Sequence, residues 1–176
     1  MADADAPGAS LEAALTIIDR TPAVLRGLIG SLDPSVLGGG APDGWAPRQV
    51  AEHLLDVEDV AFVDRVRRIV AGGHPKIASI DPPARLVEGG YADRSLDDLL
   101  DELHRRRAAD VTWLRSLPDG ALDQHGDHDR AGIFSARDLI HYWGCHDLLH
   151  LRQILQGLQD ALSPHVGNLQ KFFEAR

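Results

Sequence analysis

Residues 136–158 read ARDLIHYWGCHDLLHLRQILQGL, and the period of this stretch decides the fold. Leu139, Trp143, His146, His150, Gln153 and Gly157 recur at spacings of three and four, which puts them on one face of an α-helix. Ser135 with Asp138 three residues later is a capping box, so a helix is expected from Ala136 to about Leu158. Two positions on that inward face are histidines, His146 and His150. A buried imidazole carries polar nitrogens that are costly to leave bare, so the pair calls for partners from elsewhere in the chain.

Upstream, the same period recurs. Ser10 is a good N-cap for LEAALTIIDRTPAVLRGLIGSL, apolar at Leu11, Leu15, Ile18, Leu25, Leu28 and Ile29. Pro22 should kink this helix or remove one of its hydrogen bonds, and Asp33-Pro34 with Gly38, Gly39 and Gly40 should end it. A second helix opens at Pro47 and runs to about Ala71 before Gly72-Gly73, with Val50, His53, Leu54, Val57 and Ala61 along its stripe. Residues 72–94 hold three prolines and four glycines without a period and read as a crossover loop. Ser95 with Asp98 caps a third helix that ends near Leu117-Pro118, and Ser163-Pro164 starts a short tail helix at about 164–173. No alternating strand pattern competes. The reading is all-α, a four-helix bundle in one domain spanning 1–176, with its core at about 10–158.

Loop lengths limit the topology. About 14 residues join the first two helices and about 16 join the last two, so each pair is expected antiparallel. The link of about 22 residues between the second and third helices can travel back along the bundle at about 3.3 Å per extended residue. This gives an up-down-down-up order with the second and fourth helices antiparallel. In that order His53, near the start of the second helix, lies level with His150, near the end of the fourth. Three imidazoles from two helices can then meet, and a divalent metal would satisfy them all, since imidazole ligates zinc, nickel, copper and iron.

Composition restricts the partners. The 176 residues carry 18 Lys and Arg against 27 Asp and Glu, a formal net charge of −9, which repels phosphate backbones and anionic lipid. One cysteine, Cys145, excludes an internal disulfide and suits a reducing compartment. The opening MADADAPGAS has no basic n-region or apolar h-region, and no apolar run approaches the ~20 residues of a membrane helix. A cytoplasmic protein that binds neither nucleic acid nor membrane is expected.

Three segments together carry a family resemblance. APDGWAPRQVAEHLLDVEDVAFVDRVRRIV at 41–70, the loop with Pro75 after it, and IHYWGCHDLLHLRQI at 140–154 resemble the DinB/YfiT-like metal-binding superfamily, over about Leu15 to Gly157. The Trp-x-Pro opening, the His-Leu-x-x-x-Glu run and the His-x-x-x-His-Leu-x-Gln ending are specific in combination. The resemblance implies a four-helix bundle, a divalent metal held by His53, His146 and His150, and a homodimer. Zinc and nickel lead as the metal, and iron and manganese also fit. It further implies thiol S-transferases or isomerases that use low-molecular-weight thiols, although many members have no known reaction. Ala46 stands where the family often has Ser, which weakens the cap of the second helix.

Other readings stay open. The three histidines can be a metal-free polar core. Asp147 makes a His-Asp-x-x-His motif comparable to the His-Glu-x-x-His zincins, with one methylene less reach. Asp147, or Asp56 on the second helix, can orient a ligand ring or simply form an ion pair. Trp45 and Tyr91 either rim the site or plug the bundle, and Gln153 lies on the face of the histidine pair. Glu58 falls off the face of His53 and is expected to form an ion pair. Cys145 reads as a packed small residue, His125 and His128 as surface residues at the far end of the bundle, and His104 with Arg105, Arg106 and Arg107 as a solvated basic face. Three neutral histidines leave the metal its full charge and an open position, the arrangement of a catalytic site. The resemblance, with that open position, implies a metal-dependent enzyme, a thiol S-transferase or hydrolase that activates a small thiol or water for transfer to a small electrophile in stress or detoxification metabolism. The alternative is a non-catalytic metal-binding dimeric stress-response protein.

Overall fold

A computed structural model describes residues 10–38 and 44–172. Gly39, Gly40 and Phe173, used above as boundaries, lie outside the described residues. Helix α1 (Leu11–Ile29) starts where Ser10 Oγ accepts the Ala13 N–H at 3.2 Å. It runs uninterrupted through Pro22. The bond Pro22 cannot donate is the one to the Ile18 carbonyl four residues earlier, and Arg107 Nη1 donates to that carbonyl instead, at 2.8 Å. The proline thus leaves an acceptor for a distant helix. After a four-residue turn of helix, α2 (Pro34–Leu37), the chain enters the second rod.

That rod is α3 (Pro47–Val57), a π-helical stretch (Glu58–Val63) and α4 (Asp64–Val70), where a single α-helix was expected. Ala46 offers no side-chain cap, and only the reciprocal half of a capping box forms, with Gln49 Oε1 accepting the Ala46 N–H at 3.0 Å. Every residue from Val50 to Glu58 is buried, so this rod is the centre of the bundle. The third rod is α6 (Leu96–Ser116) and the fourth α8 (Ala136–Leu162), which runs four residues past the expected end. Ser135 and Asp138 cap α8 reciprocally, whereas Ser95 accepts from the Asp98 N–H without the return bond.

Two apolar clusters define the order of the rods. One gathers Ala14, Leu15 and Ile18, Val63 and Val66, Val111 and Leu114, and Leu139, Ile140 and Trp143. The other gathers Leu25 and Ile29, Val50 and Leu54, Leu99 and Leu103, and Ile154. The first joins the start of α1 and of α8 to the far ends of the second rod and α6, and the second joins the opposite ends. The topology is therefore up-down-down-up, as the loop lengths allowed. Each fully buried Leu, Ile or Val in these layers is worth about 1.5–3 kcal/mol.

Two regions differ from the sequence reading. Residues 72–94 are not an element-free crossover: they contain β1 (Lys76–Ile77), helix α5 (Pro82–Glu88) and a 3₁₀ turn at Tyr91–Asp93. Asp81 caps α5 by accepting the Ala84 N–H at 3.3 Å, and Pro82 and Pro83 occupy the first-turn positions that prolines favour. The prolines start a helix here. Past a short turn, α7 (Asp119–Leu122), the chain forms a hairpin of β2 (His125–His128) and β3 (Gly132–Ser135), to which β1 adds in parallel, so the fold carries a small three-stranded sheet. Among the described residues no strand exceeds four residues, too short for an alternating pattern to register. The tail forms 3₁₀ turns at Ser163–His165 and Gly167–Phe172 instead of an α-helix, since Pro164 lacks an N–H and Gly167 sits at φ +57°. Among the described residues no helix is long and apolar enough to cross a membrane.

Candidate metal centre

The antiparallel contact of α3 with α8 brings His53, His146 and His150 together. Their ligand-capable nitrogens all lie within 4.8 Å of one another. His146 Nε2 is 3.3 Å from His53 Nε2 and 3.1 Å from His150 Nε2. His53 and His150 are 3% and 6% exposed. Burial, followed by the neighbouring His150, pushes His53 and His146 down to about 3, and burial also lowers His150. All three rings are therefore neutral near pH 7.

Neutral rings in this arrangement do not satisfy one another. His150 Nδ1–H donates to Gln153 Oε1 at 2.6 Å, which leaves His150 Nε2 as an acceptor. His146 Nε2 faces both other rings, but a neutral ring has at most one proton there. At most one of the two contacts can be a good hydrogen bond, and the other opposes two lone pairs or two protons. The buried Nδ1 atoms of His53 and His146 also lack partners. A cation at the meeting point would accept all three lone pairs at once, so this donor set fits a divalent metal bound by neutral imidazole.

Aromatic rings box the cluster. The Trp45 ring lies 4.4 Å from that of His53 and stacks within 13° on that of His150 at 6.2 Å, while Phe62 meets His146 edge-on at 5.1 Å. The three histidines form the floor of a cleft of about 670 Å³ whose walls are Trp45, Val57, Ala61, Phe62, Arg65, Ile80, Pro82, Pro83 and Tyr142, with Gln153 at its edge. The π-helical stretch sets one wall. Its wider i→i+5 turn changes the helical phase after His53, turning Glu58 into the bundle while Ala61 and Phe62 face the cleft.

Of the remaining candidates, Gln153 and Trp45 touch the histidines. Asp56 instead accepts from Arg85 Nε at 2.7 Å, Arg85 Nη2 at 2.9 Å and the Tyr91 hydroxyl at 3.0 Å. It bonds no histidine ring; it clamps α5, and with it Pro82 and Pro83, against α3. Tyr91 packs on the lower apolar cluster and does not line the cleft. Asp147 is fully buried, pairs with Arg107 and likewise bonds no ring. Among the described residues no Asp or Glu lines the cleft, so the zincin comparison finds no carboxylate there in the place of a general base. Cys145, expected to be packed, is exposed on the outer face of α8.

Replacing Gln153 by alanine should weaken zinc binding by about 10–100-fold, as removal of a ligand's orienting partner does, measured by competition with a chromogenic chelator. Gln153 is itself exposed, so the fold should lose less than about 1 kcal/mol.

Arg107 is the residue that the sequence reading misplaced. It is 1% exposed, not part of a solvated basic face. Leu99, Leu103, Arg107, Val111 and Leu114 follow the three- and four-residue spacing of the buried stripe of α6, a signal present in the sequence. Its guanidinium bonds Glu58 Oε1 at 2.7 Å, Asp147 and the Ile18 carbonyl, and lies 4.9 Å over the Trp143 ring. One cation thus meets two carboxylates out of water. Burial outweighs Arg107 and pushes Glu58 up to about 7, with Asp147 adding to the rise. An acid raised in the folded state stabilises fully below its unfolded pKa of 4.5, and loses that contribution as pH rises through about 7. Glu58→Gln should therefore gain about 1–3 kcal/mol on the wild type between pH 5 and pH 8, read from urea melts at each pH. Parallel curves would show that Glu58 titrates normally.

Comparison with known proteins adds the family context. The family model described as the DinB superfamily matches residues 17–154. YfiT from Bacillus subtilis, described as a probable metal-dependent hydrolase with an unusual four-helix bundle topology, is similar in structure with a TM-score of 0.78 and 19% identity, over 91% of this chain and 93% of that one. A mutant of the mycothiol-dependent maleylpyruvate isomerase is similar with a TM-score of 0.61 and 15% identity, over 88% of this chain and 68% of the other. No curated protein sequence matches.

Proposed function

The chain belongs to the DinB superfamily, and on that premise we propose that it is a divalent-metal-dependent enzyme that activates a low-molecular-weight thiol, or water, for transfer to a small electrophile in stress or detoxification metabolism. One observation carries the reading: three neutral imidazoles converge at the floor of a cleft that is open above them. A closed structural site would offer four protein ligands, whereas three leave a position facing the cleft. When bound there by His53, His146 and His150, a divalent ion supplies a Lewis acid that ionises a thiol or water near neutral pH.

The chain's own residues do the rest. Gln153 fixes the ring of His150 so that Nε2 faces inward. Trp45 and Phe62 hold the rings in place and keep bulk water from their edges. The apolar walls, Val57, Ala61, Ile80 and the two prolines, give a substrate a low-dielectric seat in which charge interactions are stronger. Among the described residues the cleft offers no carboxylate to take a proton, which favours a thiol over water: a free thiol near pKa 8.5 needs far less help to ionise than water does. The relative described as mycothiol-dependent supports the same choice.

Thiol disappearance should be followed with zinc- and nickel-loaded protein against a panel of epoxide, haloalkane and maleyl-type electrophiles, beside ester hydrolysis. Metal-dependent turnover that His150→Ala abolishes is the expected result. Turnover indifferent to chelation would refute it. We also propose a cytoplasmic homodimer. Leu148, Leu155 and Leu162, seven apart on α8 and 49%, 51% and 58% exposed, support such an interface. The same face suits the alternative, a non-catalytic metal-binding dimer in a stress response, which predicts bound metal without thiol consumption.

A further inference from the structure

Among the described residues Arg65 is the one permanently charged side chain that lines the cleft, in a chain of net charge −9. It projects from α4 one turn after Phe62, half-buried, and also lines a second cleft of about 310 Å³ against the hairpin, so it stands on the wall the two clefts share with Tyr142. Most arginines here meet a carboxylate, but among the described residues Arg65 forms no ion pair. Nη2 donates to the Ala78 carbonyl at 2.9 Å, one bond for a group with five N–H donors. Asp64 and Asp129 act on it only from a distance, and burial works against its charge. A half-desolvated, unpaired guanidinium is costly unless something else completes it.

We propose that Arg65 is a specificity-determining residue that binds the oxyanion group, carboxylate or phosphate, of a small organic substrate whose body lies along Phe62 and Ile80 toward the three histidines. The inference rests on the cleft above those histidines being the substrate site. The guanidinium fork matches two oxygens of either group, and among the described residues no acidic side chain on the cleft lining adds the repulsion that the rest of the surface presents to an anion. A neutral substrate would leave the guanidinium unpaired, so the cleft discriminates by charge.

Binding of phenylacetate, phenyl phosphate and neutral 2-phenylacetamide, followed by ligand-observed NMR, tests this on the full chain. The wild type should bind at least one of the two anions about tenfold tighter than the amide. Arg65→Gln should erase that preference and Arg65→Lys should keep part of it, each with an unchanged melting temperature. Arg68→Gln is the structural control. Arg68 donates to the Lys76 carbonyl at 2.5 Å and so ties down the same segment, but does not line the cleft; its loss should change binding by less than about twofold. Repeating the series in His150→Ala separates this subsite from the metal reading, because the preference should survive there. Equal binding of both anions and the amide, an unchanged preference in Arg65→Gln, or a preference lost in Arg68→Gln or in His150→Ala would overturn the proposal. A preference for phosphate alone or carboxylate alone would assign the group.

Discussion

Arg107→Leu is expected to cost about 3–5 kcal/mol of folding stability, more than any other single change away from the apolar core. The substitution does more than delete an ion pair. It strands two carboxylates, Glu58 and Asp147, each at most 1% exposed, and it frees the Ile18 carbonyl that Pro22 cannot serve. Each orphaned buried polar group adds its own desolvation cost, of about 1–3 kcal/mol. The guanidinium also fills volume over Trp143 in the upper apolar cluster. A urea titration of both proteins at pH 7 reads the difference directly. Adding Glu58→Leu and Asp147→Leu to Arg107→Leu should recover most of the loss, because a well-packed apolar replacement for a buried ion network is often neutral or stabilising. A cost below about 1 kcal/mol for Arg107→Leu alone would mean that water reaches this network.

The second large effect is at the histidines. His53→Ala or His150→Ala should lower zinc affinity by at least about 100-fold, beyond the cost of removing an orienting partner. At a zinc concentration about 1,000 times its dissociation constant, the wild type should gain about 4 kcal/mol of stability. Both variants should gain no more than about 1.4 kcal/mol under the same conditions. Without metal, their stability should lie close to that of the metal-free wild type, since deleting one ring also removes an unfavourable contact between facing nitrogens. Calorimetric melts with and without zinc separate the two contributions. An equal zinc-induced rise in the wild type and in His150→Ala would place the ion elsewhere.

The parts of the molecule that the sequence exposed are those set by helical period and caps. Ser10, Ser135 with Asp138, and the spacing of His146 and His150 mark long regular elements, and the loop lengths admitted the order of rods that is observed. The convergence of His53 on His150 followed from that order. What escaped has a different origin. Asp81-Pro82-Pro83 carries a helix-start signature, but prolines counted as breakers concealed α5. Strands of two to four residues are too short to alternate. The π-helical turn at Glu58–Val63 has no periodic signature, so the inward turn of Glu58 and the cleft-facing position of Phe62 come from the structure. Arg107 was readable on the stripe of α6, yet its arginine neighbours made a solvated face the simpler inference. Asp56 and Asp147 answered to arginines that lie far away in sequence, which spacing within one helix cannot reveal.

On the proposed reading, His53, His146 and His150 hold a divalent ion. Elemental analysis of the wild-type chain, purified without a histidine tag, tests it most directly. The account predicts about one divalent ion per chain, as isolated or after zinc or nickel is supplied and excess removed. Less than about a tenth of an ion per chain after both treatments would contradict it, and the three rings would then be a polar core.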